Sequence, residues 1–280
     1  MITLLSDFGT QDAYVAVMKG VIASIAPGIP TCDLTHQIPP QDVLAARFNL
    51  MMAYAHFPKG TVHLAVVDPG VGSSRRAIAL QHPNGFFVAP DNGLLGNLFD
   101  QEHSASITAV SLTNPQYWRV HRPSHTFHGR DIFAPVAAHL SNGVPIEALG
   151  DRIDLATIVR PTLPPFQSNR SQSSHQLPGQ HTLHYVGSLQ YVDNFGNLIS
   201  NIPGTVVSNW AWQVELKTAH RQLRVTGVKT YADVPIGTLC AVVGSHGWIE
   251  IACSCGSAAK TLKGIADVGS PLSLILSRIE

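Results

Sequence analysis

The run Thr61-Val62-His63-Leu64-Ala65-Val66-Val67 is largely apolar, rich in β-branched residues, and cut off at Asp68-Pro69-Gly70-Val71-Gly72-Ser73-Ser74-Arg75-Arg76. It predicts a buried strand: Pro69 and Gly70 stop it, and Gly72 lets the backbone approach a ligand closely. Asp68 then stands at the carboxyl end of a strand, where open α/β sheets hold their ligands. A turn-capping Asp68 salt-bridged to Arg75 is the plain alternative.

The rest of the first half alternates short apolar strands with helix-length segments, the pattern of an α/β domain with a largely parallel central sheet. Strands are expected at Ile2 to Leu5 and Thr31 to Leu34, and helices over Asp12 to Ile25, Asp42 to His56 and Asp131 to Leu140. A hairpin is expected from Ala77–Gln81 to Phe86–Ala89 across His82-Pro83-Asn84-Gly85. Near residue 160 the composition turns rich in Pro, Ser and amide residues, which predicts a linker. Beyond it, strand-like stretches at Thr182 to Val192, Trp212 to Leu216, Leu239 to Val243, Trp248 to Ala252 and Pro271 to Leu276 predict a smaller, mostly antiparallel β domain. The expected organisation is an α/β domain over 1–160, a linker over 161–180 and a β domain over 181–280.

Charge narrows the partners. Lys plus Arg number 18 and Asp plus Glu 18, with no basic block, so neither a nucleic-acid footprint nor a polybasic membrane surface is expected. The start of the chain has no basic region before an apolar core and no run reaches membrane-spanning length, which predicts a cytoplasmic protein. Cys32, Cys240, Cys253 and Cys255 are too few and scattered for a disulfide framework. Cys253 and Cys255, two apart on an expected strand, face one side and read as buried small apolar residues rather than metal ligands.

Four polar clusters interrupt the apolar elements. Ser6-Asp7-Phe8-Gly9-Thr10-Gln11-Asp12 places a carboxylate after the first strand, able to bridge two vicinal hydroxyls of a ribose, with Thr10 or Asp12 capping the next helix. The second cluster holds Asp68 and Arg75. His125-Thr126-Phe127-His128-Gly129-Arg130-Asp131 puts His128 beside a glycine at a helix start, where a ring nitrogen can meet a small nucleophile; alternatively Asp131 caps the helix and His128 only packs. Asp193-Asn194-Phe195-Gly196-Asn197, between two strands, reads as a tight turn, yet offers an acid for an ammonium group, an aromatic face and an amide. Such a set suits an amino acid joined to a nucleoside.

Taken in order, these motifs, with Met18-Lys19-Gly20, Thr35-His36-Gln37-Ile38, Pro90-Asp91-Asn92-Gly93 and Gly244-Ser245-His246-Gly247, resemble the S-adenosyl-L-methionine hydroxide adenosyltransferases, relatives of fluorinating and chlorinating enzymes. The resemblance spans nearly the whole chain. It implies a catalytic set of Asp68, Arg75 and His128, a ribose-binding Asp7, a methionine-binding set of Asp193, Asn197 and Ser245, and Phe195 against the adenine. It further implies attack of a water-derived hydroxide on ribose C5′ of S-adenosyl-L-methionine, giving adenosine and L-methionine. That molecule is the substrate, and neither a separate cofactor nor a metal is expected. Arg75 would favour the anion, and His128, oriented or kept neutral by Asp68, could accept the proton. The resemblance implies a homotrimer with sites between subunits; an intrachain cleft would serve equally well.

The connection at His82 to Gly85 is short, whereas the fluorinating relatives carry an extra loop in the first domain. His246 stands where those relatives often have Arg. The rival readings are a halogenase, a protein that binds the nucleoside without turning it over, and a metal-dependent hydrolase, for which no ligand pair has the spacing of a metal-binding helix.

Overall fold

The buried run at 61–67 becomes the third strand of a sheet covered on both faces. The structure, a computed structural model, describes residues 1–96, 106–161, 164, 166–169, 182–207, 211–217 and 222–277. They fall into two compact units, Met1–Pro161 and Thr162–Glu280.

In the first unit, β1 (Ile2–Ser6), α1 (Tyr14–Ile25), β2 (Thr31–Thr35), α2 (Val43–Ala53) and β3 (Thr61–Val66) form two successive parallel crossovers. The hairpin of β4 (Ala77–His82) and β5 (Gly85–Pro90) follows, then β6 (Thr108–Ser111), α3 (Ala134–Ser141) and β7 (Asp151–Arg152). The strand order is β2-β1-β3-β5-β4-β6-β7. Only β2, β1, β3 and β5 run parallel; β4, β6 and β7 continue the sheet antiparallel, so it is mixed rather than largely parallel. The tight turn at 82–85 is the reason, since it sends β4 and β5 in opposite directions while β5 pairs with β3.

The period-2 geometry of a strand divides the core. Ile2, Leu4, Val62, Leu64 and Val66 share one buried cluster with Met18 and Ile22 of α1 and Val136, Ala137 and Leu140 of α3. The helix expected from Asp12 starts instead at Tyr14 with Ala13, which has no side-chain acceptor, at the N-cap; Thr10 accepts a hydrogen bond from Gln37 Nε2 (3.3 Å). At α2 the cap is Asp42, which accepts from the Ala45 amide.

Opposite that cluster lies a buried imidazole. His63 is 1% exposed, bonds Thr3 Oγ1 through Nδ1 (2.8 Å) and stacks on Phe87 at 5.0 Å. Burial, with a smaller push from neighbouring His82, lowers its pKa to about 4. The unfolded chain, near 6.5, binds the proton more tightly, so stability should fall as pH drops from about 6.5 to about 4, by about 3 kcal/mol in all. Urea titrations across that range should show a shallower acid limb for His63→Gln; an unchanged limb would mean that another group carries it.

The second unit contains β8 (Gln167–Asn169), β9 (Thr182–Val192), β10 (Leu198–Pro203), β11 (Ala211–Lys217), β12 (Gln222–Thr226), β13 (Leu239–Val243), β14 (Trp248–Cys253), a short α4 (Ala258–Thr261) and β15 (Pro271–Ser277). All their strand pairings are antiparallel, in the order β12-β11-β15-β9-β10-β14-β13. A bridge from Gly227 to Ala241 brings the chain after β12 back to β13, so the sheet nearly closes on itself. Within the segment read as a linker, residues 167–169 instead pair with β9; residues 162, 163, 165 and 170–180 lie outside the described set. Cys255 is not on a strand with Cys253: β14 ends first, leaving Cys255 exposed at φ 51° while Cys253 is buried.

No helix among the described residues is long and apolar enough to cross a membrane.

Candidate active site

The chain reverses direction between β1 and β3. From β1 the first crossover leads outward to β2, and the second returns past β1 to β3. Beyond the carboxyl ends of two such strands the connections diverge and leave a crevice. Ser6 pairs in register with Val66, so Asp7 and Asp68 leave the sheet side by side. Both line a cleft of about 400 Å³, together with Phe8, Tyr14, Gln41 and His128.

Asp68, Arg75 and His128 are joined there. Arg75 Nε donates to Asp68 Oδ1 (2.9 Å) and Oδ2 (3.1 Å), and its terminal nitrogen also reaches Oδ2. That same nitrogen donates to His128 Nδ1 (2.8 Å). The Arg75 and Asp68 side chains are only 10% and 5% exposed, and the guanidinium lies 5.2 Å from the Phe133 ring centre. The salt-bridged turn is therefore present, but as part of a larger set. Arg76 points elsewhere, to Asp91 (2.8 Å) and Thr157.

The contact with Arg75 decides the state of His128. Guanidinium only donates, so Nδ1 must accept and a neutral ring carries its proton on Nε2. Burial and then the Arg75 charge lower the His128 pKa, outweighing the opposite pull of Asp68 and Asp131. Asp68 acts on His128 through Arg75, since both of its carboxylate oxygens accept from that guanidinium.

Two local devices hold this set. Residues Gly129–Phe133 form a π-helical turn leading into α3, where the Ala134 amide bonds Gly129 O. Pro135 has no amide hydrogen, which frees the Asp131 carbonyl, and the Arg119 amide takes it (2.9 Å). Asp131 does not cap the helix. Fully buried inside that turn, it accepts from Ser124 N (2.9 Å) and Arg130 Nε (2.7 Å). The second device is Gly72, at φ 79°, where an added Cβ would lie 2.3 Å from the His125 carbonyl oxygen. Its close approach serves the docking of two loops, those carrying Arg75 and His128, rather than a ligand.

Asp7 is held from one side only. Its Oδ2 accepts from the Gln41 amide (2.8 Å), Gln41 itself sitting at φ 68°. Among the described residues, Oδ1 takes no hydrogen bond.

Asp193, Phe195, Asn197 and Ser245 meet in a different place, a pocket of about 970 Å³ in the second unit that Tyr231, His246, Glu250 and Lys260 also line. Asp193 Oδ1 accepts from the amides of Phe195 (2.9 Å) and Asn197 (2.8 Å), and Oδ2 from Asn197 Nδ2 (2.9 Å). Gly196, at φ 82°, makes the turn possible, and Phe195 is left 75% exposed. Buried Glu250 collects Tyr231 OH and His246 Nε2 (2.8 Å), while the Trp248 amide donates to His246 Nδ1 (3.1 Å). Both ring nitrogens of His246 are thus engaged. Burial first, and then the Glu250 carboxylate, push the Tyr231 hydroxyl pKa up.

Sequence reasoning missed Tyr14 and Gln41 in the first cleft and Tyr231 and Glu250 in the second. Tyr14 lay inside the expected helix Asp12 to Ile25, whereas Gln41 and the Tyr231–Glu250 pair depend on contacts that no local pattern announces. Among the described residues, no group of three or more His, Cys, Asp or Glu side chains could hold a metal ion.

This architecture has relatives. The chain is 38% identical to (R)-S-adenosyl-L-methionine hydrolase from Thermus thermophilus, over 97% of this chain and 98% of that one. It is 38% identical to a protein of the same name from Salinispora arenicola, over 93% of each. A fluorinase from Nocardia brasiliensis is 29% identical over 92% of each chain. The crystal structure of an uncharacterized conserved protein from Thermotoga maritima superimposes with a TM-score of 0.82 at 33% identity, covering 98% of this chain and 99% of that one. Residues 2–150 match the SAM hydroxide adenosyltransferase N-terminal domain and residues 187–267 its C-terminal domain. With both halves matched and the Asp68, Arg75 and His128 side chains assembled at the switch point of the sheet, the chain belongs to the SAM hydroxide adenosyltransferase family.

Proposed function

We propose that the protein hydrolyses S-adenosyl-L-methionine to adenosine and L-methionine by attack of water on ribose C5′, opposite the departing sulfur. The observation that carries this reading is the Asp68–Arg75–His128 set, partly buried, with Asp68 and His128 opening on a cleft that also presents Asp7. Sulfonium leaves as a neutral thioether, so the protein need not protonate it; it must position a water and remove a proton. His128 Nε2–H orients that water by donating to it. The new C–O bond makes the attacking oxygen a strongly acidic oxonium, for which the Asp68 carboxylate is a sufficient acceptor even beside Arg75. Asp7 grips the ribose hydroxyls through the oxygen that Gln41 leaves open. Phe195 stacks on the adenine, while Asp193, Asn197 and Ser245 hold the amino acid.

The names of the similar hydrolases specify the (R) form. A sulfonium with three different substituents is a pyramidal stereocentre, and in-line attack fixes which substituent points where. The (R) epimer is taken as the substrate form here too. The reading includes a homotrimer in which each site pairs the first unit of one subunit with the second unit of its neighbour. Sedimentation equilibrium should then give three times the 30.1 kDa chain mass.

The decisive assay is turnover of each sulfonium epimer in oxygen-18-labelled water containing chloride and fluoride. Adenosine labelled at the 5′ oxygen, formed faster from the (R) epimer, is the expected product. Halogenated nucleoside would establish the halogenase reading, and binding without product the non-catalytic one.

A further inference from the structure

We propose that His36 is a positioning residue for substrate binding: through Ser6 it sets the turn that presents Asp7 to the ribose. The proposal rests on the reading of Asp7 as the ribose-binding acid.

His36 is 6% exposed and Ser6 1% exposed, and neither belongs to the water-activating set. Ser6 Oγ lies 2.7 Å from His36 Nδ1 and also accepts from the Phe8 amide (3.3 Å). On the far side of the ring, Nε2 lies 3.1 Å from Asp33 Oδ1, and Lys19 Nζ lies 2.6 Å from Asp33 Oδ2. The Asp33 carboxyl resists protonation: burial raises its pKa, but the hydrogen bond from Lys19 and the nearby His36 ring bring it below the usual value. A carboxylate 3.1 Å from Nε2, though too oblique for a hydrogen bond, favours the ring proton on that nitrogen, which leaves Nδ1 to accept the Ser6 hydroxyl hydrogen. Ser6 oxygen is then turned toward the Phe8 amide, fixing the peptides on both sides of Asp7. The backbone reinforces this tie, because the Gly9 amide donates to the His36 carbonyl (2.8 Å).

The donors run from the Phe8 amide through the Ser6 hydroxyl to His36, and Asp7 lies between the two tied residues, Ser6 and Phe8. Gln41 clamps one carboxylate oxygen, while the Ser6–His36 link holds the main chain from which the carboxylate projects. Without that link the free oxygen loses its aim at a pair of vicinal hydroxyls, where a displacement of about 1 Å takes a hydrogen bond out of range.

The test is calorimetric binding of adenosine and of 2′,3′-dideoxyadenosine to the full-length protein and its variants. The native protein should prefer adenosine by about 100-fold, as expected for two hydroxyl contacts with a carboxylate. His36→Ala should cut that preference to about 10-fold while leaving dideoxyadenosine affinity within twofold. Equal weakening of both ligands, or weakening of neither, would overturn the proposal. Should His36→Ala not fold, Ser6→Ala removes the same link with His36 still in place; a preference reduced at least threefold supports the inference and an unchanged one refutes it. Asp7→Asn separates the two claims: if the native preference survives that change, the ribose reading of Asp7 fails, whereas its loss in Asp7→Asn alone leaves that reading standing and rejects the role of His36.

Discussion

Replacing Arg75 with Ala should lower kcat by about 10³-fold, with the dissociation constant for S-adenosyl-L-methionine changed by less than about threefold. The guanidinium is a shared donor: it pairs with Asp68, fixes the proton of His128 on Nε2, and in the proposed mechanism supplies positive charge beside the attacking water. Loss of a preorganised donor at a reacting centre typically costs about 10²–10³ in rate, and here one truncation also disorders both partners. Binding is spared because ribose, adenine and amino acid are assigned to other residues. Truncation also leaves Asp68, with 5% of its side chain exposed, as an unpaired buried carboxylate, a change worth about 3–5 kcal/mol of stability. Arg75→Lys separates the two effects. It keeps a charge near Asp68 but lacks the planar fork that reaches both partners, so it should fold better than the Ala variant and still lose about 10²-fold in kcat. Pre-steady-state product formation on variants verified by circular dichroism would check this, and near-native turnover by a folded Arg75→Ala protein would remove Arg75 from the mechanism.

Gly72→Ala should be nearly as damaging although residue 72 has no side chain to contribute. At φ 79° an Ala is strained, and its methyl would meet the His125 carbonyl oxygen at 2.3 Å, a backbone atom that cannot swing aside. The strain alone is about 1–3 kcal/mol. Relief requires the loop carrying Arg75 to move away from the loop carrying His128, and their 2.8 Å contact cannot survive much displacement. A fall in kcat of about 10²-fold is expected. Gly70→Ala is the control, since a methyl there meets side chains and no backbone: Arg75 and Ser73 at 3.4 Å and Asp68 Oδ1 at 3.9 Å, the last an ordinary van der Waals contact. Comparable kcat in the two variants would show that docking of these loops does not align the reacting groups.

Several features were readable from residue order because their causes are local. The β4–β5 hairpin follows from the turn between the strands, the Asp193 turn from Gly196, and the antiparallel character of the second unit from its closely spaced strands. Other features were hidden because their causes are distant. The cap expected of Thr10 or Asp12 is absent because the helix begins later, with Ala13 at its N-cap, and the cap expected of Asp131 gave way to a π turn whose freed carbonyl is taken by Arg119. The sheet appeared parallel because its crossovers announce themselves as strand and helix alternation, whereas the antiparallel half contains short strands such as Asp151–Arg152 with no pattern to read.

The adjacent arginines mark this division most clearly. Residue order sets two guanidinium groups before β4 and cannot say which one serves Asp68. Just ahead of an extended segment, consecutive side chains project to opposite sides, which sends Arg75 to Asp68 and His128 and Arg76 to Asp91 and Thr157. Sequence by itself determined that Asp7 and Asp68 would each end a strand, that a loop would follow, and that His128 would stand at a helix start, since strand termination and helix entry are decided by a few neighbouring residues. Tertiary structure alone decided that β1 and β3 lie side by side at the reversal of the sheet, that Gly72 seats one loop against another, and that Arg75 rather than Asp68 touches the imidazole. Those outcomes depend on contacts between residues as far apart as 7, 68 and 128, whose mutual distances are set by sheet order and core packing and are not encoded in any one segment.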